Sequence, residues 1–148
     1  MLESAHEGLR AVSPVLLDAS VVVALLDRSE RYHERCVAAV QELQCPLVTC
    51  EAVVAESCYL LSRLPAAVDA LLENVARGIF QLPFQLSRTA EEVSRIMRKY
   101  RNVPADLADA CLIYAAAQLG GGKILTPDHN FEISRWGHGK PFHLVSLD

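Results

Sequence analysis

The 148-residue chain lacks any apolar run approaching the roughly 20 residues that a membrane-spanning helix needs, because Asp18, Asp27, Glu56 and Asp109 interrupt each candidate. No membrane association is expected. An apolar leader is missing too: residues 1–13 carry Glu3, His6, Glu7 and Arg10, which reads as a short polar extension ahead of a fold beginning at residue 14. The five cysteines, Cys36, Cys45, Cys50, Cys58 and Cys111, form no CxxC pair and fall mostly in apolar stretches. That usage speaks against zinc and suits free thiols in a reducing, cytoplasmic compartment. Positive charge is scarce, with 14 Lys and Arg against 18 Asp and Glu and a net charge of −4. A generic polyanion binder is thereby disfavoured. A phosphate site is not, since clustered acids loaded with divalent cations attract phosphate. Internal repeats, low-complexity tracts and linkers are also missing, so 14–148 reads as one domain with one core.

Apolar residues are plentiful at 51 %, more than one small core easily absorbs, which points to a covered protein–protein surface. They occur as short runs alternating with longer stretches of helical period, the signature of an α/β domain built on a parallel sheet. Strands are predicted at 15–18, 46–49, 79–82, 123–126 and 142–145. Helices are predicted at 20–26, 30–44, 51–64, 66–77, 88–101 and 104–119, with a short turn after Asp128. Pro65 divides two helices, and Gly78 and Gly120-Gly121-Gly122 follow helices where a left-handed residue is needed.

Four acids stand in apolar surroundings: Asp18, Glu56, Asp109 and Asp128. A buried carboxylate without a partner is costly, and basic residues are few in these segments, so a divalent metal is the economical partner. Asp18 ends the first strand, and Asp128 stands just beyond the 123–126 strand with Thr126 close by. Ligands of open α/β sheets bind at such carboxyl ends. The competing reading for both is an N-cap of the following helix. Glu56 falls inside a helix among Ala52, Val53, Tyr59 and Leu60, which places it on the packing side; its competing reading is a pair with Arg63. Glu51 at the same helix start suits the helix dipole and reads as structural. Asp106 and Asp109 share one helix face near its N-terminus. Asp106 suits a cap, whereas Asp109 reads as too deep in the helix to cap it, with Leu112 and Ile113 on its face.

Cations gather in Arg95-Ile96-Met97-Arg98-Lys99-Tyr100-Arg101. Arg95, Arg98, Lys99 and Arg101 read either as a solvated helix end or as a strip that tracks a nucleic-acid backbone, with Tyr100 available to stack on a base. His33, His129, His138 and His143 suit surface or core positions better than general-base catalysis.

With these residues laid out, the chain resembles the PIN-domain ribonucleases over residues 15–145. The resemblance rests on Val15-Leu16-Leu17-Asp18, the helical Glu56, Asp106-Leu107-Ala108-Asp109-Ala110 and Thr126-Pro127-Asp128-His129-Asn130-Phe131. No one motif is specific; their order, elements and separations together are. The Asp-Leu-Ala-Asp-Ala phrase looks most like stand-alone VapC-type toxins that pair with an antitoxin. The resemblance implies a three-layer α/β/α fold around a parallel sheet of about five strands. It implies Mg²⁺- or Mn²⁺-dependent hydrolysis of RNA by Asp18, Glu56, Asp109 and Asp128, with Asp106 an additional metal-site acid. Thr126 and Asn130 would lie beside the substrate. Asn130 stands where many relatives carry another Asp, although an amide oxygen can still coordinate or orient water. A homodimer and an antitoxin partner are further expectations. The alternatives are a non-catalytic PIN-like module that binds RNA or protein, and a housekeeping nuclease without an antitoxin. Receiver domains and dehalogenase-like phosphatases lack their adjacent acids here; Ser20 occupies the position where the latter need a second Asp.

Overall fold

The computed structural model of the chain describes residues 13–103 and 105–125, together with the backbone of strands at 135–136, 140–141 and 143–145. The polar start at 1–12, Thr126, Asp128 and Asn130 lie outside the described residues, as does the short turn expected after Asp128. In chain order the elements are β1 (Val15–Leu17), α1 (Ala19–Leu26), α2 (His33–Leu43), β2 (Leu47–Val48), α3 (Glu51–Leu60), α4 (Pro65–Ala76) and β3 (Phe80–Gln81). They are followed by α5 (Leu86–Lys99), α6 (Leu107–Leu119), β4 (Lys123–Leu125), β5 (Arg135–Trp136), β6 (Lys140–Pro141) and β7 (His143–Val145).

Five strands form one sheet in the order β3-β2-β1-β4-β7, and every neighbouring pair in it is parallel. Helices flank the sheet, as a parallel sheet requires: its crossovers leave no strand face to water. The sequence of β1 records this constraint, since Val15, Leu16 and Leu17 show no polar alternation and all three are buried. Each predicted strand appears, trimmed by a residue or two. An antiparallel ribbon of β5 and β6 was not anticipated; its two-residue strands are too short to give a periodic signal.

Helix character follows the same logic. In α6, Ala108, Ala110, Cys111, Leu112, Ile113, Ala115 and Ala116 are all buried, so it is apolar nearly all round and runs through the interior. Helix α5, which packs on α6, buries only Thr89 and Val93 and turns its charged face outward. Pro65 opens α4 at its first turn, where no backbone donor is lost. Gly120 closes α6 at φ 66°, a left-handed cap that glycine adopts without strain.

The carboxyl ends of β1 and β2 are tied by a side chain: Thr49 Oγ1 donates to the Leu17 carbonyl at 2.8 Å, and Thr49 is 2 % exposed. This bond fixes the chain one residue before Asp18. Thr49→Val keeps the shape but leaves that buried carbonyl short of a donor, at a cost of about 1 kcal/mol. The urea midpoint should fall while the slope of unfolding free energy against urea stays constant.

Candidate active site at the carboxyl edge of the sheet

Asp18 leaves β1 in an extended conformation and caps α1, its Oδ1 accepting from the Val21 amide at 3.1 Å. At 6 % exposure it is a buried carboxylate held at the positive end of a helix. The cap reading and the strand-end reading are therefore both true of this residue. Its charge reaches the neighbouring α2, where burial and then Asp18 together push the Cys36 thiol up to about 11.

Asp106 and Asp109 are joined more closely than their spacing suggested. Asp106 is the N-cap of α6 and accepts from the Asp109 amide at 2.9 Å, while Asp109 Oδ2 accepts from the Asp106 amide at 3.1 Å. This reciprocal capping box corrects the expectation that Asp109 lies too deep to take part in capping. The helix begins at Leu107 rather than near Pro104, so Asp109 occupies the third helical position. Asp109 is half-buried on α6, a helix that packs against α3.

Glu56 also departs from expectation. It is exposed, not on the packing side; α3 buries Val53 and Ser57 and leaves Glu56 at the edge of that stripe. Among the described residues it makes no ion pair with Arg63. Its carboxyl is nonetheless raised above the ordinary value, first by partial desolvation and then by the charge of Asp106 across the α3–α6 junction. Glu56 and Asp106 thus belong to one acidic field, which is the condition for a shared cation site. Among the described residues no three His, Cys, Asp or Glu side chains are grouped closely enough to hold a metal ion. The placement of Asp128 lies outside them.

The remaining neighbours hold these elements in place. Cys50 caps α3 from the end of β2, and its thiol points at the Ala108 carbonyl of α6, 4.0 Å away. The Cys111 thiol beside it, together with burial, pushes the Cys50 thiol far up, and Cys50 draws Cys111 down. Glu51 is structural as expected but through a different partner: its Oε1 accepts from the Leu86 amide at 2.8 Å and so anchors α5. His33 Nδ1 lies 2.7 Å from the Ala24 carbonyl, joining α1 to α2.

The basic helix end has a different address from the acids. Arg95 pairs with Glu92 at 2.5 Å and with Glu91 at 3.9 Å, and Lys99 lies over the Tyr100 ring at 5.4 Å. Arg95 and Lys99 line a groove with Ile113, Tyr114 and Gln118, a turn or more past Asp109. Tyr100 is 7 % exposed, so its ring is packed in the core rather than offered to a base. A second basic cluster escaped the sequence reading: the Arg31 and Arg35 guanidiniums lie 5.4 and 5.9 Å from the Tyr32 ring, one turn before Cys36. Two arginines four residues apart around an aromatic were its only signal.

A family model described as the PIN domain matches residues 15–135. The chain belongs to the PIN-domain family. Ribonuclease VapC26 of Mycobacterium tuberculosis is 29 % identical over 117 residues, covering 77 % of this chain and 86 % of the relative. The crystal structure of Mycobacterium tuberculosis VapC20, a toxin that cleaves the sarcin–ricin loop, superposes with a TM-score of 0.69 at 15 % identity. That match spans 78 % of this chain and 90 % of the toxin and shows the shared fold.

The Glu56 carboxyl supplies a pH test. A raised folded pKa means that the ionised form is less stable in the fold than in the unfolded chain. Its contribution is complete at low pH and is lost as pH rises through the raised value. Asp106→Asn keeps a capping oxygen but removes the charge, so the Glu56 carboxyl resonance should titrate at lower pH than in the wild type. An unmoved NMR titration would separate Glu56 from the acidic field.

Proposed function

We propose that this chain is a metal-dependent ribonuclease of the VapC type, the toxin half of a toxin–antitoxin pair, hydrolysing RNA phosphodiester bonds in the cytoplasm. The observation that carries the reading is a match to the PIN domain over 15–135 in a chain where Asp18 caps the helix that leaves β1 and the charge of Asp106 reaches Glu56 across the α3–α6 junction. The activity in the name of VapC26 supports it. Among the described residues no helix is long and apolar enough to cross a membrane.

The donor set fits a hard divalent cation. Its atoms are carboxylate oxygens, which suit Mg²⁺ or Mn²⁺ and not zinc, and the Glu56 carboxyl, raised by burial and then by Asp106, would be relieved by a cation between them. Asp18, Glu56, Asp109 and Asp128 would hold the ion, with Asp106 beside them. Held there, a cation would supply charge neutralisation at the attacked phosphate and a lowered pKa for a bound water. The protein's own part is positioning. Backbone amides at the starts of α1 and α6 orient Asp18 and Asp109, so little rearrangement is needed when a cation arrives. Asp109 Oδ2 is held by the same box that starts the helix. Thr126 and Asn130 would border the scissile phosphate. Arg98, Lys99 and Arg101 would follow the RNA backbone further from the cut, with Arg95 joining them only if it leaves its glutamates.

The partners follow from the surface. Tyr59, Leu60, Leu64 and Leu72 are large, apolar and exposed at the end of α3 and along α4. Such a patch fits a homodimer or an antitoxin surface, with about 1,000 Å² or more buried in total. An antitoxin arginine entering the acidic edge would pair with the carboxylates that hold the cation.

Asp18→Asn tests the catalytic role apart from the structural one, because Asn caps a helix as well as Asp does. Cleavage of RNA with Mg²⁺ or Mn²⁺ should fall by at least about 100-fold, as expected when a group acting at the transition state is lost. The circular dichroism spectrum and melting profile should be retained. A folded variant with wild-type activity would remove Asp18 from the site.

A further inference from the structure

Two cysteines that the proposed nuclease chemistry does not use meet where α3 and α6 begin. Cys50 ends the β2 connection and caps α3, whereas Cys111 lies on α6, distant in sequence. The Cys50 thiol points at the Ala108 carbonyl, 4.0 Å away, one turn before Cys111 on α6, and both cysteines are buried, at 8 % and 9 % exposure. Cys36, Cys45 and Cys58 are free thiols as well. Cys50 and Cys111 line one cavity of about 20 Å³, bordered by Thr49, Glu51, Phe84 and Tyr114. That is room for a molecule the size of water or slightly larger. Its rim includes the exposed Glu51 and the half-buried Phe84, so a small polar oxidant has a short path to the sulfurs.

We infer that Cys50 and Cys111 form a reversible thiol–disulfide site whose co-substrate is a small hydroperoxide. One thiol, as its thiolate, attacks the peroxide oxygen; the O–O bond breaks, leaving a sulfenic acid and, after protonation, water. The second thiol then displaces that hydroxyl, the S–S bond forms and a second water leaves, so that two thiols and one hydrogen peroxide become one disulfide and two waters. Thiol reductants reverse the step. The bridge fastens the helix bearing Glu56 to the helix bearing Asp106 and Asp109, and the inference rests on packing alone, independent of RNA cleavage.

The test uses the whole purified chain treated with hydrogen peroxide, alkylated without reduction, digested and analysed by mass spectrometry. The expected product is a cross-link between the Cys50 and Cys111 peptides with the loss of two hydrogens, abolished by dithiothreitol and retained in Cys45→Ser, which removes the free thiol nearest to Cys50 in sequence. The oxidised protein should also melt at higher temperature than the reduced protein, because the bridge constrains the unfolded chain. The inference is overturned if peroxide oxidises Cys45 or Cys58 while Cys50 and Cys111 remain open to alkylation. It is equally overturned if Cys111 is found bridged to any cysteine other than Cys50.

Discussion

Negative charge gathered at the carboxyl edge of a parallel sheet is the constraint on which this molecule turns. A parallel sheet sends each strand into a helix, so its carboxyl edge collects helix N-termini and their unpaired amide donors. Three acids use such donors directly: Asp18 caps α1, and Asp106 and Asp109 form the reciprocal box that starts α6. Glu56 lies mid-helix and receives no such help; partial burial first, and then the charge of Asp106, raise its carboxyl. A divalent cation would be the natural complement of that charge.

The same groups therefore carry structure and proposed chemistry together. Removing Asp18 or Asp109 altogether would unfasten a helix start as well as a ligand, so alanine variants confuse the two roles, whereas asparagine separates them. The surroundings reinforce the geometry. Thr49 fixes the end of β1, Glu51 anchors α5, and Cys50 reaches from the start of α3 to both Cys111 and the Ala108 carbonyl of α6. Because α6 is buried on nearly all sides, the position of Asp109 is set by core packing rather than by a mobile loop.

Much of this was legible in the chain. Unbroken apolar runs such as Val15-Leu16-Leu17 announce strands covered on both faces, and the helices between them announce parallel crossovers. Asp18 could be placed at a strand end from its neighbours alone. The details that sequence misplaced all depend on where a helix begins or which edge of it is covered. Asp109 became a capping residue because α6 starts at Leu107, a matter of two or three positions. Glu56 became exposed because its helix buries only a narrow stripe. Tyr100 turned inward, and Arg95 found Glu91 and Glu92, since tertiary neighbours decide what a charge or ring near a helix end touches. The Cys50–Cys111 contact joins residues far apart in sequence, and no local pattern encodes it.

The central claim, that these acids form a single divalent-cation site, is tested most directly by paramagnetic NMR of the ¹⁵N-labelled protein titrated with Mn²⁺. Selective broadening of the Val21, Glu56, Asp106 and Asp109 amides, reversed by EDTA and by excess Mg²⁺, is the predicted result. Broadening spread over the surface, or confined to acids elsewhere such as Glu91 and Glu92, would contradict it.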